Sequence, residues 1–176
     1  VRGKEKEGLA IMTIKARTEI ASEDEAFINT QLYVMERTLA TTEALSMGKK
    51  EQIMVVLDFG DFTSSLAPPW NAIKEVVSIL QHCYSCRLKR LLIIDPPYWM
   101  RATYAFLKPF LELDTSQKFV MISGDEEKMT VFSEFIDADQ AMPFMLPNGK
   151  LTKAVDLERF LEDVPFHCLY DDPTLV

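Results

Sequence analysis

Ile53-Met-Val-Val-Leu-Asp-Phe59 carries five apolar residues in unbroken succession before its first charge. A run this short, β-branched and without alternation reads as a strand covered on both faces, the habit of parallel sheets. Leu91–Ile94 (LLII) and Phe119–Ile122 (FVMI) repeat it, and each run ends in turn-forming residues: Asp58 and Gly60, Asp95-Pro96-Pro97, and Ser123-Gly124-Asp125. Leu9–Ile14 (LAIMTI), after Gly8, supplies a further strand toward the amino terminus. Helical spacing fills the intervals. Ser22 with Glu25 forms a capping box ahead of a helix from Glu23 to about Met47, with Phe27, Ile28, Leu32, Met35 and Leu39 on its stripe and Gly48 closing it. A second helix begins at Pro68-Pro69 and carries Ile73, Val76, Val77, Leu80 and Cys83. A third runs from Tyr98 to about Leu113 with a kink near Pro109, a fourth from Gly124 to about Asp137, and a short one covers Asp156–Glu162 before an irregular tail. Strands joined by helical crossovers predict an α/β fold: a mostly parallel β-sheet floor with helices packed on it.

The chain has 176 residues, enough for one domain that needs no disulfide or metal staple. Its 48% apolar content excludes wholesale disorder, and the net charge of −8 argues against a nucleic-acid partner, which requires a basic face. Three cysteines imply no disulfide framework and favour a reducing compartment. No apolar run approaches the length of a membrane span, and no signal peptide opens the chain. A start at Val1 rather than Met reads as an excised piece of a longer protein.

Candidate chemistry is sparse. Cys83-Tyr-Ser-Cys86, with His82 beside it and His167-Cys168 downstream, has metal-ligand spacing. It falls at a helix C-terminus, where the dipole disfavours a thiolate, so Cys83 is expected to pack in the core. Asp58 and Ser123 at strand ends resemble a phosphorylated-aspartate site, but Asp61 is awkwardly spaced for a shared Mg²⁺, and capping of loops is the simpler role. P-loop, nucleophile-elbow and zincin motifs are absent, and two histidines leave little general-base capacity. Neither catalysis nor a metal or other cofactor is expected. The second half is instead rich in aromatic and aliphatic residues: Tyr98, Trp99, Tyr104, Phe106 and Phe110, then Met129, Phe132, Phe135 and Ile136. Two such helices over a sheet could line an apolar cavity or simply fill a core.

Four segments carry a family resemblance: VVLDFGDF (55–62), QHCYSCRLKRLLIIDPP (81–97), FLKPFLELDTSQKFVMIS (106–123) and, more weakly, MPFMLPNG (142–149). In this order they resemble the CRAL-TRIO lipid-binding domain of phosphatidylinositol/phosphatidylcholine transfer proteins and of tocopherol and retinal carriers. The resemblance spans roughly residues 8 to 150. It implies one lipid-binding domain over 1–150, with a helix and tail at 151–176 packed on it. It also implies a sheet floor and a movable gate helix at about Glu127 to Asp137, presenting Met129, Phe132, Phe135 and Ile136. Matching the family's headgroup contacts residue by residue retains Lys118 and Arg87. It places Ile53 and Val55 where phosphatidylinositol-binding members carry Ser and Thr, and Cys86 where they carry Glu.

Burying two acyl chains, about 30 methylenes, gains on the order of 20 kcal/mol against water. A bilayer offers nearly as much, so tail burial makes exchange near-neutral and polar contacts choose the lipid. With Ile53 and Val55 at hydroxyl positions, a phosphate would lose donors, and a weakly polar lipid fits better. Alternation then adds Leu57 to a pocket with Ile53 and Val55, and Val120 and Ile122 to one with Lys118; Tyr104, Phe106 and Phe110 complete the expected lining. The resemblance therefore implies a lipid ligand, a transient membrane surface, and a cytoplasmic protein visiting membranes. A protein-interaction or regulatory module with a degenerate pocket, serving trafficking or GTPase signalling, is the alternative.

Overall fold

Every apolar run named above is a strand. In the computed structural model β1 is Ile11–Lys15, β2 Ile53–Asp58, β3 Leu88–Ile94 and β4 Phe119–Ile122. The helices are α1 (Asp24–Leu45), α2 (Trp70–Cys83), α3 (Tyr98–Leu107) and α4 (Gly124–Phe135). The structure describes residues 1–16, 24–63, 70–84, 86–107 and 117–153. Ser22 of the capping box, Pro109, Phe110, Cys168 and the expected helix at 156–162 lie outside the described residues, as does the side chain of Phe106.

The four strands are all parallel and stand in the order β1-β2-β3-β4, so each strand pairs with its successor in the chain. Order and handedness together decide where the helices go. Parallel crossovers are right-handed almost without exception, and a sheet wound steadily in one direction therefore puts every connecting helix on the same face. Helices α1 and α2 do pack there, over Met12, Ile53, Val55 and Leu91, with Met35 and Leu80 as their contributions. Tyr104 of α3 joins that side by stacking on Phe119, ring centroids 5.6 Å apart. Helix α4 follows β4, the last strand among the described residues. It covers the opposite face, where Phe132 and Ile136 meet Ile11, Met54, Val56, Leu92, Ile94 and Ile122.

The alternating side chains of each strand thus serve two separate cores. Residues 142–146 close the second of them with Met145 and Leu146. The outer edge of β1 is occupied by the chain's own start, where Arg2 donates to Ile11 and Ile11 to Gly3 across an antiparallel approach. Covering an edge in this way removes its exposed hydrogen-bonding row.

Candidate functional site

The site residues expected from the sequence do not share one cavity. Ile53 and Val55 are buried, 0% and 7% exposed, beneath α1 and α2. Val120 and Ile122 belong with α4 on the other face. The reason is register: Leu91 pairs with Phe119 and Leu92 with Val120, so Val120 shares its parity with Val56 and not with Val55. The residues of β4 that face the same way as Ile53, Val55 and Leu57 are therefore Phe119 and Met121. Helix α4 cannot roof Ile53 and Val55, because the sheet lies between them. Its Phe132 is fully buried in the α4-side core, Phe135 is half-buried beneath the Arg90 guanidinium, which sits 3.7 Å from its ring centroid, and Met129 is half-exposed.

On the face covered by α1, α2 and α3, the side chains change character along the sheet. Under α1 and α2, Ile53 and Val55 are packed by Met12 and Met35. Leu57, Leu91, Phe119 and Met121 are only half-buried. Helix α3, whose Tyr104 stacks on Phe119, begins with two exposed aromatic side chains, Tyr98 at 85% and Trp99 at 49%. Trp99 meets Phe59 edge-on at 6.5 Å, and Phe59 meets Phe62 at 5.2 Å.

The two expected headgroup residues stand at the amino-terminal ends of neighbouring strands, Arg87 just before β3 and Lys118 just before β4. Both backbone carbonyls are tied into the sheet, that of Arg87 by the Ile53 amide and that of Lys118 by the Leu91 amide. The Arg87 guanidinium is paired with the Glu51 carboxylate. Cys83 and Cys86 are exposed free thiols, which corrects the expected core packing of Cys83: α2 turns its last residue outward as the helix ends.

Opposite that edge, at the carboxyl ends of β2 and β3, the structure gathers a group that the sequence hinted at only through Asp58 and Asp61. A hollow of about 320 Å³ is lined by Asp58, Asp61, Asp95, Asp125 and Lys128. Asp95 takes a left-handed backbone (φ 47°), as a strand-ending Asp tolerates, and turns the chain off β3. Lys128 donates to Asp95 at 2.8 Å and stands 3.7 Å from Asp125. The hydrogen bond to Asp95 and the surrounding carboxylates hold its ammonium above the ordinary lysine range. The lysine thus supplies the hollow's own counter-charge. Asp58 accepts from the Gly60 amide at 2.9 Å, an Asx-type loop cap. Ser123 accepts from Arg101 rather than facing Asp58 chemistry. Among the described residues no three ligating side chains are arranged to hold a metal ion. The pattern that could have revealed this group was Asp58 ending β2 and Asp95 directly after β3, with Lys128 one helical turn after Asp125.

Residues 1–145 match the CRAL/TRIO domain. The chain belongs to that family. CRAL/TRIO domains are lipid-binding and lipid-transfer modules, and the α/β fold with its parallel sheet is the one expected of them. Patellin-4 of Arabidopsis thaliana is 35% identical over 71 residues, which cover 40% of this chain and 13% of Patellin-4. The crystal structure of Sfh5 superposes with a TM-score of 0.56 at 19% identity, over 75% of this chain and 49% of that one. The chain spans less than half the length of both relatives. Among the described residues no helix is long and apolar enough to cross a membrane.

Proposed function

We propose that this CRAL/TRIO chain binds a hydrophobic lipid on the sheet face beneath α3 and exchanges it during transient contact with a membrane. The observation that carries this is the row Leu57, Leu91, Phe119 and Met121. These four apolar side chains stay half-buried around the buried Ile93 on the same face, whereas Met54, Val56, Leu92 and Ile122 on the opposite face are sealed and Val120 there is half-buried. An acyl chain laid over the row removes apolar surface from water at roughly 25 cal/mol per Å². Tyr104, stacked on Phe119, forms one wall. Helix α3 is the element that has to move to admit the lipid, since α4 is on the wrong side and its Phe132 is locked in the core. This keeps Leu57 and Tyr104 in the lipid pocket with Ile53 and Val55 as its packed floor. Val120, Ile122 and the α4 residues act as the support beneath the sheet.

The headgroup would lie toward Lys118 at the start of β4, with Arg87 already neutralised by Glu51. With apolar Ile53 and Val55 on the floor, the lipid favoured is uncharged or weakly polar. The aromatic pair Tyr98 and Trp99 suits the membrane interface, where such rings keep an apolar body in lipid and a polar tip in water.

Organic extraction of the purified protein followed by mass spectrometry is expected to release co-purified lipid. Met121→Glu is expected to reduce uptake of a fluorescent lipid by on the order of tenfold, since it puts a charge on the floor, while the circular dichroism spectrum is unchanged. Extracts without lipid, together with no uptake by the unaltered protein, would overturn the proposal. A protein-interaction role is the second reading, favoured by the dense packing of Ile53 and Val55 under α1 and α2.

A further inference from the structure

A second hollow, of about 530 Å³, lies at the β1 edge on the α4 side of the sheet, and its lining includes Arg2, Thr13, Lys15, Phe144 and Lys153. Every charged side chain lining it is a cation. The chain's net charge is −8, and Lys6, Arg87, Lys89 and Lys128 each stand against an acid: Asp137, Glu51, Glu7 and Asp95. Among the described residues no carboxylate pairs with Arg2, Lys15 or Lys153. Arg2 donates to the Lys153 carbonyl, and the Lys15 ammonium lies 4.8 Å from the centroid of the Phe144 ring.

Thr13 adds a hydroxyl. Its Oγ1 is buried and has no hydrogen-bond partner, an arrangement that folded proteins seldom leave without a use. Three cations held around one hollow repel each other, and Phe144, Met142 and Leu151 supply apolar wall between them. A bound oxyanion removes the repulsion, accepts from the hydroxyl and takes charge-assisted hydrogen bonds from guanidinium and ammonium, the combination that suits a phosphate group.

We propose that this hollow binds a phosphomonoester dianion, carried by a soluble phosphate compound or by the headgroup of an anionic lipid. Alternation along β1 puts Thr13 and Lys15 with Ile11 on the α4 side, so the site is separate from the lipid face and does not depend on it.

Calorimetric titration of the full chain with inorganic phosphate tests the soluble source, and co-sedimentation with phosphatidylcholine vesicles, with and without phosphatidic acid, tests the headgroup. Saturable binding in either arm is expected, weakened on the order of tenfold in Thr13→Val and in the exposed pair Lys15→Gln with Lys153→Gln, since charge-assisted hydrogen bonds are roughly twice as strong as neutral ones. Lys49→Gln, an exposed lysine after α1, is expected to leave binding unchanged. Binding of inorganic phosphate alone identifies a free anion as the ligand, and binding confined to phosphatidic acid vesicles identifies a headgroup. No saturable binding in both arms, or an equal loss in Lys49→Gln, would overturn the site. Uptake of fluorescent lipid is expected to survive Thr13→Val, which separates failure here from failure of the lipid pocket.

Discussion

Phe132 contributes most where it touches most. Its ring is fully buried between α4 and the sheet, beside Ile122 and Ile136, so Phe132→Ala is expected to destabilise the fold by about 3–5 kcal/mol. Chemical denaturation measures this, and lipid uptake should fall only in step with the folded fraction, as befits a core residue on the far side of the sheet. Tyr84 offers a different residue-scale test. Desolvation, then the hydrogen bond to the Glu36 carboxylate, pushes its phenol up to about 12. The protonated form is the one the fold favours, so the stability gained from this pair is complete below the pKa of free tyrosine, about 10. It is lost as pH rises through about 12. Ultraviolet titration should show a late phenol for Tyr84, moved earlier by Glu36→Gln. Single residues were unevenly legible beforehand. Apolar strand residues such as Ile53 announced their burial, because an unbroken apolar run has no other stable place. The outward turn of Cys83 did not announce itself, since a half-apolar thiol at a helix end satisfies core and solvent patterns equally.

Elements were the most legible level. All four strands lie where apolar runs meet turn residues, and α1, α2, α3 and α4 begin within a few residues of their signals. The exception is the strand at β3, which starts at Leu88, earlier than its apolar run, because Leu88 pairs with Ile53 and, past a register shift that skips Lys89, Arg90 pairs with Met54. A pattern of hydrophobicity cannot register a charged residue such as Arg90 that is held by backbone pairing. At this scale α3 makes its own prediction. Tyr98 is 85% exposed, so Tyr98→Ser should leave stability unaltered. Losing one interfacial aromatic is worth about 1 kcal/mol, roughly a fivefold weaker association with vesicles. An unchanged vesicle affinity would mean that α3 does not face the membrane.

For the molecule as a whole, the fold class was readable and the assignment of faces was not. Alternation within one strand tells which side chains travel together, but linking Val55 to Val120 required the register between β2, β3 and β4, which no single strand encodes. The same gap joined Ile53 and Val55 to α4, whereas α4 covers Val120 and Ile122, and the steady strand order with right-handed crossovers puts α1, α2 and α3 on the face of Ile53 and Val55. The acidic and basic hollows were equally hidden, since Lys128 and Asp58, or Lys15 and Lys153, are brought together only by tertiary contact.

Pro143 and Phe144 line both of those hollows, the acidic one at the carboxyl ends of the strands and the basic one at the β1 edge. One short turn is thus a party wall between rooms of opposite sign. An anion whose binding shifts this turn reshapes the acidic mouth as well, and a second ligand taken up there would then change the anion's affinity by the same factor as the anion changes that ligand's.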